Sequence, residues 1–443
     1  VLKTFSIGGV HPKENKLSAG MKPEYLPAPE VVTIPVSQHI GAPAKVLVEK
    51  GAKVLTGQLI AEAGGFVSAP VHSSASGTVL KVDQFTDSSG YRRLAVQIQV
   101  EGDTWIEGID RTPDLKKDLD YSPEEIIRMI SEAGMVGLGG ATFPSHVKLS
   151  VPSGKKAEYL IVNAVECEPF LTSDHALMLT KGEEIIVGTQ LLMKALRVEK
   201  ALIGIENNKP DAIAHLTRLA AGIPGIMVEA LKVMYPQGGE KQLIDALLKR
   251  QVPSGGLPID VGAVAFNVGS VFAAYEAVQK KKPLFERMVT VTGKSLTKPS
   301  NYICRIGTPV SSLISAAGGL PEDTAKVVNG GPMMGKALSS LEVPVTKGTS
   351  GIVVFSENDA HRKTVKSCIR CGKCTGVCPM GLEPFLLMSL AERERWEQME
   401  KERVLDCIEC GSCSYTCPSN RPLLDYIRLG KAKVAAIQRA RKN

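Results

Sequence analysis

Eight of the chain's ten cysteines fall in two runs, "CIRCGKCTGVCP" and "CIECGSCSYTCP". The first places Cys368, Cys371, Cys374 and Cys378 before Pro379. The second repeats the spacing with Cys407, Cys410, Cys413 and Cys417 before Pro418. In the run C-x2-C-x2-C-x3-C-P, three thiolates two residues apart wrap one [4Fe-4S] cubane, and the fourth reaches the neighbouring cluster. Zinc is the competing use of clustered thiols, but zinc sites pair two C-x-x-C knuckles and have no need of a triple run. The spacing is too regular for a disulfide framework, and no signal-peptide pattern precedes it, so a reducing, cytosolic compartment is expected. Cys167 and Cys304 stand outside both runs with no ligand set around them and are expected to be small buried hydrophobes.

A second chemistry-bearing stretch is "GMVGLGGATFPSHVKL", residues 134–149, with four glycines in its first seven positions. Neither phosphate template fits it. No Lys-Ser/Thr pair follows as in a P-loop, and Thr142 stands where G-x-G-x-x-G requires its third glycine. Downstream, "NAVECEP" and "FNVGS" each close an apolar strand-like run. His146 and His175 have no partner at ligand spacing and are expected to be structural.

These stretches need elements to position them. "YSPEEIIRMISEAG" reads as a helix with Ser122 as cap, Pro123 in the first turn, Glu125 closing a capping box and Gly134 ending it. After the glycine loop come the strand "AEYLIVNAV", a long helix over "SDHALMLTKGEEIIVGTQLLMKALR", the strand "KALIGIE", a helix from Pro210 and the run "GIMVEAL". The helix "GGEKQLIDALLKR", the strand "GAVAFNV" and the helix "SVFAAYEAVQK" follow. Alternation of this kind implies βα units on a parallel sheet, with ligands outside the carboxyl ends of its strands. The glycine loop, "NAVECEP" and "FNVGS" would all lie there.

Upstream, residues 31–82 are short strands separated by Gly-Ala and Ser-Gly turns, which favours a compact β module. Downstream, Phe285 to Val354 suggests a small β-grasp-like α+β module whose role is packing. The 28 residues between Cys378 and Cys407 read as helical. The expected organisation is a multidomain α/β and α+β chain: a barrel-sandwich module over 1–115, a Rossmann-like domain over 116–284, a β-grasp module over 285–354 and a two-cluster domain over 355–443.

The net charge of +7 is uneven: residues 361–443 hold 16 Lys/Arg against 9 Asp/Glu, equal to the whole excess. The segment has neither interleaved aromatics nor zinc-finger spacing, so nucleic acid is not the expected partner. An acidic docking partner, or the field around anionic clusters, fits better. The terminal "RLGKAKVAAIQRARKN" reads as a basic amphipathic helix that could meet anionic lipid, a partner or solvent. No run of about 18 apolar residues is present to span a bilayer.

Residues 31–82, especially "VEKGAKVLTGQLIAE" and "APVHSSASGTVLKV", resemble a lipoyl/biotinyl barrel-sandwich hybrid. Such domains carry a modified lysine at a hairpin tip, but here the tip is Gly64-Gly65-Phe66, so a scaffold or docking role is expected. "GLGGATFPSHVKL" with "YLIVNAVECEP" resembles the flavin-binding loops of the 51-kDa-type NADH-oxidising subunit of respiratory complex I. The resemblance implies that Gly137, Gly139 and Gly140 let backbone approach FMN and that Lys148, Asn163 and Glu166 contact it. It further implies that Phe143 stacks on the nicotinamide and that Glu168 holds the ribose or adenosine side of NADH. By the same match, Asn267 and Ser270 stand near the FMN phosphate, and Gly239 and Glu240 belong to the site. The chain departs from the pattern at Leu138 (Arg in the family), Thr142 (Gly), His146 (Gly) and Val165 (Asp).

Over nearly its whole length, "TFSIGGVHPKENK", the lysine-free barrel, "YPQGGEKQL", "VPSGGLPIDVGAVAFNVGS", "RIGTP", "NGGPMMG" and the twin cysteine runs resemble the C subunit of Rnf ion-translocating electron-transport complexes. That implies an electron-input subunit, peripheral on the cytoplasmic face of the membrane. It would oxidise NADH or reduce NAD+ through non-covalent FMN and two [4Fe-4S] clusters, exchanging single electrons with a ferredoxin-like partner. Hydride transfer to a flavin needs no general base, so no catalytic acid or base is expected. A soluble flavin/iron–sulfur reductase, such as a cobalamin reductase, would use the same motifs. An electron-wire or docking subunit with a vestigial flavin site is the third reading.

Overall fold

The computed structural model describes residues 2–442. The outermost positions of the expected end domains, Val1 and Asn443, lie outside the described residues.

The central unit begins with helix α1 (Pro123–Glu132). The Ser122 side chain accepts the Glu125 N–H at 3.2 Å, and the Glu125 carboxylate accepts the Ser122 N–H at 2.7 Å, the reciprocal cap expected from S-P-E-E. Then follow α2 (Ser145–Leu149), β1 (Tyr159–Asn163), α3 (Ser173–Thr180), α4 (Gly182–Leu196), β2 (Lys200–Glu206) and α5 (Pro210–Ala220). β3 (Ile226–Leu231), α6 (Glu240–Leu248), β4 (Ala263–Asn267) and α7 (Val268–Gln279) complete it. The single long helix expected from Ser173 is two helices. The chain breaks at Lys181 (φ −132°), and Gly182 then starts α4 so close to α5 that a Cβ would lie 2.6 Å from His215 Nε2.

The strands form one parallel sheet in the order β3-β2-β1-β4. The apolar runs of β1, β2 and β4 are buried on both faces, as a parallel sheet covered by helices requires, while the edge strand β3 is partly exposed. The chain proceeds from β1 outward to β2 and β3, then crosses back to add β4 on the other side of β1. The β1/β4 boundary is therefore the switch point at which a crevice opens beyond the carboxyl ends.

The N-terminal module is a sandwich of two antiparallel sheets. One contains Val31–Pro35, Arg92–Val100, Gly77–Thr86 and Lys53–Val54; the other contains Lys45–Val46, Leu59–Glu62 and Val71–His72. Val32, Ile34, Ile60 and Ile98 fill its interior, in one continuous core with α1, α4, α7 and the central sheet. The first 26 residues run outside this sandwich. Lys3 bridges Leu231, Val10 bridges Tyr235, and Glu24–Tyr25 forms an edge strand on Ser300–Arg305.

That edge strand joins the six-stranded sheet of the third module, which runs in the order Glu24–Tyr25, Ser300–Arg305, Glu286–Thr292, Gly351–Ser356, Thr324–Asn329, Lys336–Ala337. The last module is helical, as expected, with Pro384–Ala391, Trp396–Lys401 and the long Leu423–Lys442 around two short helices, Lys373–Gly376 and Ser412–Thr416. No helix among the described residues is long and apolar enough to cross a membrane.

Candidate functional site

The glycine loop is closed by its own backbone, the Gly137 N–H donating to the Phe143 carbonyl at 2.8 Å. Leu138 is its buried anchor: its N–H donates to Ser270 Oγ at 2.9 Å, and Arg287 donates to its carbonyl at 3.4 Å. This explains two features of the sequence. An apolar residue replaces the family arginine because this position faces the core, and Ser270, fully buried, supports the loop from beneath. Gly139 passes so near Asn267 that a Cβ would stand 3.1 Å from the Asn267 Cβ. Gly140, at φ +134°, has open space where a side chain would be, and that backbone suits glycine. Residues 139–141 are exposed, so the loop presents bare backbone to the crevice.

Asn163 and Asn267 are register partners at the last position of β1 and β4, which places both at the switch point. Asn163 Nδ2 donates to the Gly238 carbonyl at 2.8 Å. Asn267 caps α7 by accepting the Gly269 N–H at 2.9 Å, and its Nδ2 donates to Asp174 at 2.7 Å. Gly239 is the N-cap of α6 and Glu240 its first residue. The N-termini of α6 and α7 thus lie beside the strand ends, α6 without a side-chain cap and α7 capped by Asn267, and the helix dipoles there favour an anion. Lys148 Nζ reaches into the same region, 2.7 Å from Glu240 Oε1 and 3.0 Å from the Ala265 carbonyl. Glycine backbone, two terminal amides, two helix N-termini and a lysine form a cradle suited to a phosphorylated planar cofactor such as FMN.

Glu166 and Glu168, adjacent in "NAVECEP", have different surroundings. Glu166 sits at φ +48° and turns its carboxylate onto the start of α3, accepting the Asp174 N–H at 2.8 Å and the His175 N–H at 3.2 Å. Glu168 faces the third module, where Oε1 accepts the N–H groups of Met333 at 2.7 Å and Met334 at 3.0 Å. Burial raises the Glu168 carboxyl above its ordinary value. Phe143 is half-buried on the loop's return.

Several charges that no motif marks surround this region, Lys209 and Arg287 buried and Asp174 and Lys16 half-buried. Asp174 lies under the crevice, its carboxyl pushed up to about 7 by burial and then by Glu166. Arg287 is buried opposite it. Lys16 Nζ donates to the carbonyls of Glu166, Glu168 and Leu171 and holds the whole turn. Lys209 does the same for Val165, at 2.8 Å. Spacing gives little sign of these, because most of their partners lie far away in the chain, although Lys209 also pairs at 3.6 Å with the buried Glu206 three residues before it. His175 pairs with Asp211 at 2.9 Å across α3 and α5, a contact that spacing could not show. Cys304 is buried and its thiol is pushed up to about 12; burial also raises Cys167, whose Sγ accepts the Gly238 N–H at 3.3 Å.

In the helical module the two cysteine runs share one backbone design. Arg370 and Glu409 occupy the same place in each run with φ +53° and +58°, and Gly372 and Gly411 follow with φ +71° and +76°. This curl aims the Arg370 N–H at Cys368 Sγ (3.4 Å) and the Glu409 N–H at Cys407 Sγ (3.3 Å). The Leu382 N–H likewise points at Cys378 Sγ (3.4 Å). Cys407, Cys410 and Cys413 line one apolar cavity, and the fourth cysteine on its wall is Cys378, from the other run. Met380, Leu382, Leu387, Leu424 and Ile427 are among its other wall residues.

Among the described residues no His, Cys, Asp and Glu are gathered tightly enough for a single metal ion. A four-iron cubane holds its thiolates farther apart than one ion does, and backbone N–H groups aimed at sulfur are what it takes as neighbours. Burial pushes the Cys407 thiol up to about 11 and Cys413 to about 12, so metal binding there is coupled to proton release. Cys368 and Cys371 are exposed, and Cys374 and Cys417 are half-buried.

The two sites are joined. Tyr235, fully buried, donates its hydroxyl to the Cys410 carbonyl at 2.8 Å. It packs with Val10, Cys167 and Met333 against Cys410. Gln242 of α6 donates to the Pro379 carbonyl at 3.2 Å.

Four family profiles match the chain: the RnfC barrel sandwich hybrid domain over residues 3–103, the Nuo51 FMN-binding domain over 130–276, the SLBB domain over 288–337 and a 4Fe-4S dicluster domain over 361–418. Among characterised relatives, the chain is 45% identical to the C subunit of the proton-translocating ferredoxin:NAD(+) oxidoreductase complex of Clostridium ljungdahlii, over 98% of this chain and 94% of that one. It is 43% identical to the C subunit of the Na(+)-translocating ferredoxin:NAD(+) oxidoreductase complex of Acetobacterium woodii, over 98% and 97%. It is 39% identical to the C subunit of the ion-translocating oxidoreductase complex of Rhodobacter capsulatus, over 99% and 85%. Among solved structures, the air-oxidised NAD+-reducing [NiFe]-hydrogenase aligns with TM-score 0.50 at 18% identity, over 71% of this chain and 63% of that one, a likeness of fold.

Proposed function

The chain belongs to the RnfC family, the C subunits of ion-translocating oxidoreductase complexes, and from that premise we propose that it is the NAD(H)-exchanging end of such a complex. In this reading it is an NADH dehydrogenase module, peripheral on the cytoplasmic face of the membrane. It works through FMN in the switch-point crevice and two [4Fe-4S] clusters in the helical module, with a ferredoxin-like subunit as the electron partner. When bound, FMN supplies the exchange between a hydride pair and single electrons, and the clusters supply one-electron carriage.

The chain's own residues bind, orient and insulate. Gly139 and Gly140 admit a flat ring to the backbone. Asn163 and Asn267 offer terminal amides at the strand ends, and the starts of α6 and α7 favour the cofactor phosphate. Lys148 sits where it can reach a flavin edge and is held ready by Glu240. Glu166 and Ser270 contribute by holding α3 and the glycine loop, and Glu168 by docking the third module. Cys378 joins Cys407, Cys410 and Cys413 on one cluster. Cys417 completes the set of Cys368, Cys371 and Cys374.

The observation that carries this reading is the Tyr235–Cys410 contact. It ties the segment after β3, which also holds Asn163 through the Gly238 carbonyl, to the wall of a cluster cavity. A packed, hydrogen-bonded connection between the two sites suits a relay of single electrons between them. Full-length identity to the C subunits of Rnf-type complexes favours this reading over a free-standing soluble reductase.

The test is anaerobic purification. Expected are about eight irons per chain, retained FMN, and bleaching of flavin and cluster absorbance by NADH. Protein with full iron that neither keeps FMN nor bleaches would reduce the chain to an electron wire.

A further inference from the structure

The barrel module has lost the lysine that would make it a carrier, yet its tip is not idle surface. The two tip loops are locked to each other. The Ala42 N–H donates to the Val67 carbonyl at 3.0 Å, and Ser68 Oγ takes the Gly64 N–H at 2.9 Å while donating to the Ala42 carbonyl at 2.8 Å. Gly41 is required there, because a Cβ would fall 1.9 Å from the Val67 carbonyl oxygen.

The locked tip is joined to the glycine loop at two points that bracket Phe143. On one side, the Ile40 N–H donates to the Thr142 carbonyl at 3.4 Å. On the other, His146 Nε2 bonds the Phe66 carbonyl at 3.0 Å, with the two rings edge to face at 5.8 Å. A third tie lies at the loop's start, where the buried Lys347 ammonium donates to the carbonyls of Pro70 and Gly134.

The two direct bonds from the tip use its backbone atoms, the Ile40 N–H and the Phe66 carbonyl. The side chains of Ile40 and Phe66 are left 52% and 65% exposed, next to a loop whose residues 139–141 are themselves open. An exposed aromatic ring that meets His146 edge to face, on a tip bonded to both sides of the Phe143 turn, is placed to take a flat ring on its exposed face.

We propose that the barrel tip is a fixed wall of the nucleotide site and that Phe66 is a nucleotide-binding residue, taking one heteroaromatic ring of NAD(H) on its exposed face. This rests on the NAD(H)-exchanging reading above. It explains why the tip carries Gly-Gly-Phe in place of a modifiable lysine: a swinging arm is incompatible with a wall bonded to the loop it encloses.

The experiment compares Phe66→Ala, Phe66→Leu and Phe66→Tyr in the full chain, with Tyr91→Ala as a control at an equally exposed aromatic of the same module. The readouts are flavin content, and KM and kcat for NADH with ferricyanide as acceptor. Because Phe66 bonds the loop through its carbonyl, the side-chain variants keep that bond. Expected is a KM raised roughly tenfold in Phe66→Ala and Phe66→Leu, with kcat within about twofold. Flavin should be unchanged, and KM should return to normal in Phe66→Tyr. Unchanged KM in Phe66→Ala, an equal rise in Tyr91→Ala, or flavin loss in step with KM would each overturn the proposal. Wild-type protein that keeps FMN but does not react with NADH would overturn the underlying reading and this inference with it.

Discussion

Glu168 and Gly331 meet so closely that a Cβ on the glycine would stand 2.0 Å from the Glu168 Cγ. The glutamate carboxylate therefore enters the turn of "NGGPMMG" and accepts the backbone N–H groups of Met333 and Met334. A residue that its motif associates with nucleotide binding also makes a strut between two modules.

Glu168→Gln keeps an acceptor in place and should leave both KM for NADH and flavin content within about twofold of wild type. Glu168→Ala strips the partner from those N–H groups and should cost about 1–3 kcal/mol of stability, read as a lower thermal midpoint. A tenfold KM rise in Glu168→Gln at unchanged stability would return the residue to the nucleotide.

Cys378 lines the cavity of Cys407, Cys410 and Cys413 rather than standing with its own run. Cys378→Ser should therefore impair the same cluster as Cys407→Ser, and the double variant should lose no more iron than either single one, about four per chain. Combining Cys378→Ser with Cys368→Ser should remove both clusters. Iron analysis with EPR of the reduced protein distinguishes the two; additive loss in the Cys378/Cys407 pair would refute the exchange of ligands.

Lys148 bridges Glu240 at the head of α6 and the Ala265 carbonyl at the end of β4. Lys148→Met should weaken flavin retention about tenfold, because a charge-assisted donor is lost and Glu240 is left facing the same ligand. The check is flavin per chain after desalting, with the cluster EPR signals as the internal control. Full flavin occupancy in the variant would show that the lysine only staples α6 to the sheet.

Lys347 is fully buried with no carboxylate partner, and burial pushes its ammonium down to about 7. The neighbours that sense its charge are His39 and His72, both lowered chiefly by their own burial, His72 to about 3. A lysine depressed in the folded state contributes stability that is complete above its unfolded value of 10.5 and lost as pH falls through about 7. The thermal midpoint of wild type should thus gain on that of Lys347→Met between about pH 6.5 and 9.5. A pH-independent difference between the two would show that Lys347 is not driven towards neutrality.

Much of this architecture was legible in order along the chain. The twin cysteine runs, the capping box at Ser122 and Glu125, and the alternation of apolar strands with helices are local patterns. Local patterns survive folding because spacing and periodicity act within a few residues. The convergence of the glycine loop with Asn163 and Asn267 followed from the same alternation, because a parallel sheet puts all its carboxyl ends on one side. The break at Lys181 was not legible: it depends on the close approach of α5 to Gly182, which no periodicity records.

Sequence alone determined which residue types are available to the cofactors and which strand ends carry them. Tertiary structure decided where each side chain points. Glu166 and Glu168, two residues apart, diverge because Glu166 adopts a left-handed backbone held by Lys16 from 150 residues away. Leu138 and Ser270 became an anchor and its support only when α7 packed beneath the loop. The barrel tip reached Thr142 and His146 because two modules share one core. Those directions are set by long-range contacts between irregular segments, where neither helical nor strand periodicity constrains the side chain.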